Sequence, residues 1–247
     1  MIHRIKLRLS NAYLVRGERP ILVDTGSPGE GARIVAELDA QGVRPADLAL
    51  ILHTHVHSDH VGGTAELARL GVTAQVAMHP ADAPLREQGH NGPLRGIGLR
   101  GRIMARFFRN APFLPFTPDL FVSDGLRLDE FGVSGRILHT PGHTAGSVSL
   151  VLDNGEAIVG DVVMGGYLGG AVWASRPNYH YFADDVGQVV RSLDRLLSLS
   201  PRVLHVGHGG PLMGESVRSR FAHELRPLSP TAPPEDAEPG AAADGGA

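Results

Sequence analysis

The sequence predicts a layered α/β domain. Three features carry that prediction: short apolar runs of strand length in both halves of the chain, amphipathic helical stretches between them, and glycine-flanked polar clusters where the runs end. Met1 to Leu9 alternates basic and apolar side chains like an edge strand. Asn11 to Val15 and Ile21-Leu22-Val23 read as a strand pair joined by a Gly17-Glu18-Arg19-Pro20 turn, and the second strand runs into Asp24-Thr25-Gly26. From Pro28 to Gly42, Ile34, Val35 and Leu38 mark an amphipathic helix closed by Gly42. Leu48 to Leu52 is apolar at every position, as in a strand buried on both faces. A helix is expected from Ser58, acting as N-cap, to Leu70, followed by a strand from Val72 to Met78.

Between Gly92 and Pro118 the composition changes. Leu99, Ile103, Met104, Phe107 and Phe108 recur at helical spacing, while Arg100, Arg102, Arg106 and Arg109 mostly fall elsewhere on the wheel. This predicts a short amphipathic helix inserted between core elements, serving as a lid, as the contact of a homodimer, or as plain packing. Strands are expected at Leu126 to Leu128, Arg136 to His139, Ser147 to Leu152 and Ala157 to Val159. A helix from Ala183 to Leu199, a strand from Val203 to Val206 and a last helix from Glu215 to Leu225 complete a domain spanning 1–226. Residues 227–247, rich in Pro, Ala, Gly and acids, read as a disordered tail.

The 247 residues, 42% of them hydrophobic, are enough for a core. With no cysteine, disulfides, thiolate nucleophiles and Cys-based metal sites are excluded, so any metal must rest on His and carboxylates. A net charge of -3 argues against a nucleic-acid partner or a membrane anchor, both of which need clustered cations. No apolar run reaches membrane-spanning length and the N-terminus lacks a signal-peptide pattern, so a cytoplasmic protein acting on a small molecule is expected.

The chemistry concentrates in His53-Thr54-His55-Val56-His57-Ser58-Asp59-His60, at the mouth of the buried strand. His55 and His57 leave an extended chain on one side, and Asp59 and His60 come from the turn into the next helix. Donors from two adjacent backbone regimes suit two ions a few ångström apart, the arrangement of binuclear hydrolases. Three later segments each offer one more donor beside glycine at a strand end: His143 in Thr140-Pro141-Gly142-His143-Thr144, Asp161 after Val159-Gly160, and His208 in Gly207-His208-Gly209. His53, His139 and His205 each precede a motif, and His79 reads as a strand terminus near the site rim.

In these motifs, and in their order from Asn11 to about Pro211, the chain resembles the metallo-β-lactamase superfamily. The resemblance implies a four-layer αββα sandwich with two zinc ions per chain, iron or manganese being compatible with the same donors. It implies His55, His57 and His143 on one ion, Asp59, His60 and His208 on the other, and Asp161 bridging. Asp24 matches an acid that orients imidazoles, although a turn or helix-capping Asp reads equally well. The implied reaction is hydrolysis by a metal-bridging hydroxide, with Asp59, or a second metal-bound water, carrying a proton to the leaving group.

By the same resemblance Asp161 argues against the β-lactamases of this superfamily. The absence of an added helical domain argues against a strict glyoxalase II. What remains is an ester, thioester or lactone of a small metabolite. Tyr167, Trp173, Tyr179, His180 and Tyr181 fall where lactonases of this fold place a substrate-binding tyrosine. A one-iron persulfide dioxygenase, and a β-lactam or phosphodiester hydrolase of the same fold, are the competing readings.

Overall fold

A computed structural model describes residues 1–226; the expected tail lies outside them. The chain begins with the antiparallel strands β1 (Ile2–Lys6), β2 (Asn11–Arg16) and β3 (Pro20–Val23). Helix α1 (Gly31–Ala40), strand β4 (Leu50–Leu52), helices α2 (Ser58–Val61) and α3 (Thr64–Arg69), and strand β5 (Gln75–Met78) follow. Next come α4 (Ala83–Gln88), α5 (Gly98–Phe108) and the short strand β6 (Leu120–Phe121). The second half holds β7 (Gly135–His139), β8 (Val148–Leu152), β9 (Glu156–Ile158) and the hairpin β10 (Met164–Tyr167) with β11 (Val172–Asn178). It ends with α6 (Val186–Ser198), β12 (Val203–His205), β13 (Leu212–Met213), α7 (Gly214–Arg220) and α8 (Ala222–Leu225).

Two sheets stack face to face, one ordered β1-β2-β3-β4-β5-β6 and the other β13-β12-β9-β8-β7. Side-chain alternation explains why the central strands are apolar throughout. Ile21, Val23, Leu50 and Leu52 face Ile137, Val148, Leu150 and Ile158 across the inter-sheet core. Leu22 and Ile51 point the other way, onto Ile34 and Leu38 of α1 and Leu67 of α3. The outer face of the second sheet is covered by Leu193, Leu196 and Leu197 of α6, with Val217 and Phe221. Helix, sheet, sheet and helix therefore form the four layers expected.

Several expected elements differ locally. The helix from Ser58 to Leu70 is broken at Gly62-Gly63, where a Cβ would strike Pro28 and the Thr25 carbonyl of the loop after β3. Its N-cap is His57, not Ser58. Leu126 to Leu128 makes only an isolated bridge, Arg127 to Arg136. The β10–β11 hairpin, set among glycines, was not anticipated. The 92–118 insertion contains α5, stitched to the 180–183 segment by Ile97 N–H to Tyr181 O (2.8 Å) and Ala183 N–H to Arg95 O (3.0 Å).

Candidate metal centre

Strand pairing brings the motifs together. β3 and β4 are parallel with Val23 opposite Leu52, so Asp24 emerges beside the His53-Thr54-His55 turn. β9 and β12 are parallel with Ile158 opposite His205, so Gly160-Asp161 emerges beside Gly207-His208, tied by Gly207 N–H to Gly160 O at 2.8 Å. With His143 in the loop after β7, all the expected donors collect at strand C-termini along one edge of both sheets.

The donor atoms fall into four trios whose members lie within 4.8 Å of one another: His55, His57 and His143; Asp59, His60 and His208; between them His55, His60 and Asp161; and His143, Asp161 and His180, the last adding an imidazole not expected as a donor. Asp161 Oδ2 sits 3.2 Å from His208 Nε2, 3.5 Å from both His60 Nε2 and His143 Nε2, and 3.8 Å from His55 Nε2. His57 Nδ1 and His143 Nε2 are 3.0 Å apart, and His208 Nε2 is 3.4 Å from Asp59 Oδ2. Donors bound about 2.0–2.1 Å from one tetrahedral ion lie roughly 3.3 Å from each other, so these separations suit shared cations. The buried atoms His55 Nε2, His60 Nε2, His208 Nε2 and Asp161 Oδ1 have no hydrogen-bond partner among the described residues. Buried polar atoms left unpaired are costly, and bound divalent ions would satisfy the three imidazole nitrogens. The donor set fits a metal centre.

Neighbouring groups aim these rings. His60 donates from Nδ1 to Asp24 Oδ2 (2.8 Å), His143 to the Phe182 carbonyl (2.9 Å) and His208 to the Leu9 carbonyl (2.7 Å). Each bond engages Nδ1 and so turns Nε2 toward the centre. Asp24, in left-handed backbone at φ 61°, also accepts from Thr54 N–H (2.8 Å) and Thr54 Oγ1–H (2.7 Å). Its geometry is thus that of an outer support rather than a helix cap. Gly207 has a packing role: a Cβ there would overlap Asp161 Oδ1 and crowd His60.

Burial and mutual repulsion set the charge states. Burial, then the neighbouring imidazoles, hold His55 and His57 well below the usual histidine range, in the neutral ligand form. Burial also lowers His143, opposed by Asp161. For His60 and His208, burial is outweighed by Asp161 and Asp59, with Asp24 adding to His60, and both are raised. Burial works against ionised Asp161, but His208, His180 and His60 overcome it and hold the carboxyl well below its usual value. One buried carboxylate is thereby kept charged among imidazoles.

A cavity of 530 Å³ opens onto this cluster, with His57, Asp59, Asp161 and His208 at its floor. Leu94, Met104 and Phe108 of the 92–118 segment form an apolar wall, so this part of the insertion lies against the site. Of the expected substrate-binding residues, His180 and Tyr181 line the cavity, and His180 Nε2 reaches 3.2 Å from Asp161 Oδ2. Tyr167 and Tyr179 are not among its lining residues. Tyr167 stacks edge-on to Trp173 and Tyr179 packs on Phe221.

Two supports carry no mark in the sequence. Asp82, 1% exposed, accepts from Val56 N–H (3.0 Å), Gly146 N–H (2.7 Å) and Thr144 Oγ1–H (2.8 Å), clamping the His55–His57 turn to the His143 loop. Asn91 Oδ1 accepts from Ser58 N–H at 2.6 Å. Neither has a local signal, because each acts on backbone far away in the chain.

The metallo-beta-lactamase superfamily model matches residues 5–208. A probable metallo-hydrolase of Bacillus subtilis, YflN, is 27% identical over 92% of this chain and 91% of its own length. A hydroxyacylglutathione hydrolase of Alkalilimnicola ehrlichii is 30% identical over 82% of this chain, which spans only 61% of that enzyme. Among solved structures, the di-iron-bound form of TTHA1623 is 30% identical, with a TM-score of 0.62 over 89% of this chain and 97% of that one. BJP-1, a subclass B3 metallo-beta-lactamase of Bradyrhizobium japonicum, shares the fold at a TM-score of 0.65 and 22% identity, over 92% of this chain and 90% of its own. Matched over most of its length, with the motif donors gathered at one sheet edge, the chain belongs to the metallo-β-lactamase superfamily.

Proposed function

We propose that this protein is a two-metal hydrolase acting on an ester, thioester or lactone of a small metabolite, with zinc as the working metal. The observation that carries the proposal is Asp161 Oδ2, within 3.8 Å of ring nitrogens from both donor groups. A carboxylate so placed would serve two cations at once, with His55, His57 and His143 available to hold one and Asp59, His60 and His208 the other. Bound divalent ions supply Lewis acidity and a water whose pKa is lowered to about 7.

The chain's own residues do the rest. Asp59, the most exposed of the donors and on the cavity floor, takes up the proton released as water attacks and passes it to the leaving group. His180 and Tyr181 orient the substrate on the open side. Leu94, Met104 and Phe108 exclude water and cover an acyl portion. The filled His208 position, with its 3.4 Å approach to Asp59, favours this reading over a one-iron dioxygenase. TTHA1623 in its di-iron-bound form keeps iron a candidate for the metal in the cell.

The test combines elemental analysis of the purified protein with assays on lactones, acyl-thioesters, phosphodiesters and a β-lactam, with chelator controls. The expected result is two metals per chain and hydrolysis of one carbonyl-ester class. Asp161→Asn should lower metal content and activity together. One iron per chain with oxygen uptake overturns the reading, as does full activity of Asp161→Asn with both metals bound.

A further inference from the structure

The net charge of -3, from which no membrane contact was expected, is an average that hides one segment. Between Glu87 and Asp119 there is no acidic residue, while Arg95, Arg100, Arg102, Arg106 and Arg109 lie within it. All five are exposed, and none makes an ion pair among the described residues, where the arginines that do so lie elsewhere.

The same segment leaves apolar side chains in water. Leu99, Ile103 and Phe107 of α5 are 74%, 49% and 76% exposed. At about 100° per residue they form one stripe along the helix, with Arg102 and Arg106 on one flank and Arg100 on the other. The opposite side packs inward through the buried Gly101 and Ala105, and the adjoining Met104 and Phe108 line the metal-site cavity. Across the cavity, the β10–β11 hairpin presents Leu168, 71% exposed and itself a lining residue, and Trp173, 65% exposed. Arg100 lies over Tyr167, which stacks edge-on to Trp173, so helix and hairpin form a continuous surface.

An apolar stripe flanked by unpaired cations matches a layer with anionic headgroups above acyl chains. At eleven residues α5 is too short to cross a bilayer, and no helix among the described residues is long and apolar enough to do so. It can lie in the interface plane with its stripe inserted. We infer that α5 and the tip of the β10–β11 hairpin form an interfacial surface that seats this protein on anionic phospholipid, with the mouth of its cavity against the lipid.

Trp173, the only tryptophan in the chain, reports directly on this contact. The full chain is mixed with phosphatidylcholine vesicles, with or without phosphatidylglycerol, and association is followed by sedimentation and by the tryptophan emission maximum. The expected result is association and a blue shift with anionic vesicles only, weakened by high salt. Arg102→Gln with Arg106→Gln should lower the partition coefficient roughly thirtyfold, at about one kcal/mol per basic residue near such a surface. Ile103→Ser with Phe107→Ser should remove the blue shift. Circular dichroism controls for folding of both double variants.

No association with anionic vesicles overturns the inference, as does equal association with neutral ones. Unchanged binding by both folded variants also overturns it. A dimer by light scattering that Ile103→Ser with Phe107→Ser dissociates assigns the stripe to a second copy of the chain and likewise overturns the inference. None of these measurements depends on the metals or on the hydrolytic reading.

Discussion

Replacing Asp82 with alanine tests whether the metal centre depends on a residue that touches no metal. Its carboxylate accepts three hydrogen bonds of 2.7–3.0 Å while almost wholly buried. Bonds to a charged group contribute about 1.5–3 kcal/mol each, a gross 4.5–9 kcal/mol. Burial takes part of this back, and it raises the Asp82 pKa even against those hydrogen bonds. The alanine variant also strands the Val56 and Gly146 N–H groups without an acceptor. A net loss of about 2–4 kcal/mol follows, a fall in Tm of roughly 5–15 °C for a chain of this size.

The loss should not be confined to stability. Val56 lies between His55 and His57, and Thr144 follows His143, so releasing the clamp separates two donor segments that must meet around one ion. Metal affinity should fall about tenfold or more, the range seen when groups that orient ligands are removed. Thermal melts of metal-free and metal-loaded protein, with a competitive chelator titration, measure both effects. Unchanged melting and superimposable titrations would falsify the clamp.

Further outcomes follow from single features. Gly207→Ala places a methyl against Asp161 Oδ1, so metal affinity should fall at least about tenfold with the far-ultraviolet spectrum unchanged, as read by competitive titration. Stripping the metals should lower stability by about 2.7 kcal/mol for each ion that had been held at a hundred times its Kd, visible as a metal-dependent Tm. His79, stacked on His139 at 4.0 Å, is held down at about 4 from 6.5, first by burial and then by His139. Because the unfolded chain takes up this proton first, the contribution of His79 to stability is constant above pH 6.5 and declines as the pH falls from there towards 4. The group is partly solvent-exposed, so screening reduces the effect to about 1 kcal/mol. Denaturant titrations across that range should show the slope diminished in His79→Phe.

The metal donors were legible in the sequence because each motif is local and each lies at a strand terminus. His55 to His60 spans one turn, and His143, Asp161 and His208 each sit beside a glycine. The sandwich was legible too, since strands such as Ile21 to Val23 and Leu50 to Leu52 are apolar on both faces and demand two cores. What escaped depends on tertiary contact. Gly62-Gly63 break a helix because the loop after β3 passes against them, and Asp82 reads as an ordinary polar residue until Val56 and Gly146 arrive beside it. The β10–β11 hairpin stayed hidden because Gly165, Gly166, Gly169 and Gly170 erase the alternation that marks a strand.

The bond from His208 to the Leu9 carbonyl joins a candidate ion ligand to a turn 199 residues earlier in the chain. Leu9 belongs to the turn between β1 and β2, and that turn also lines the cavity. Lengthening or shortening it therefore retunes the last donor of the centre, even though no donor is altered. Engineering of the entrance and engineering of the ion affinity are, at this corner of the molecule, the same operation.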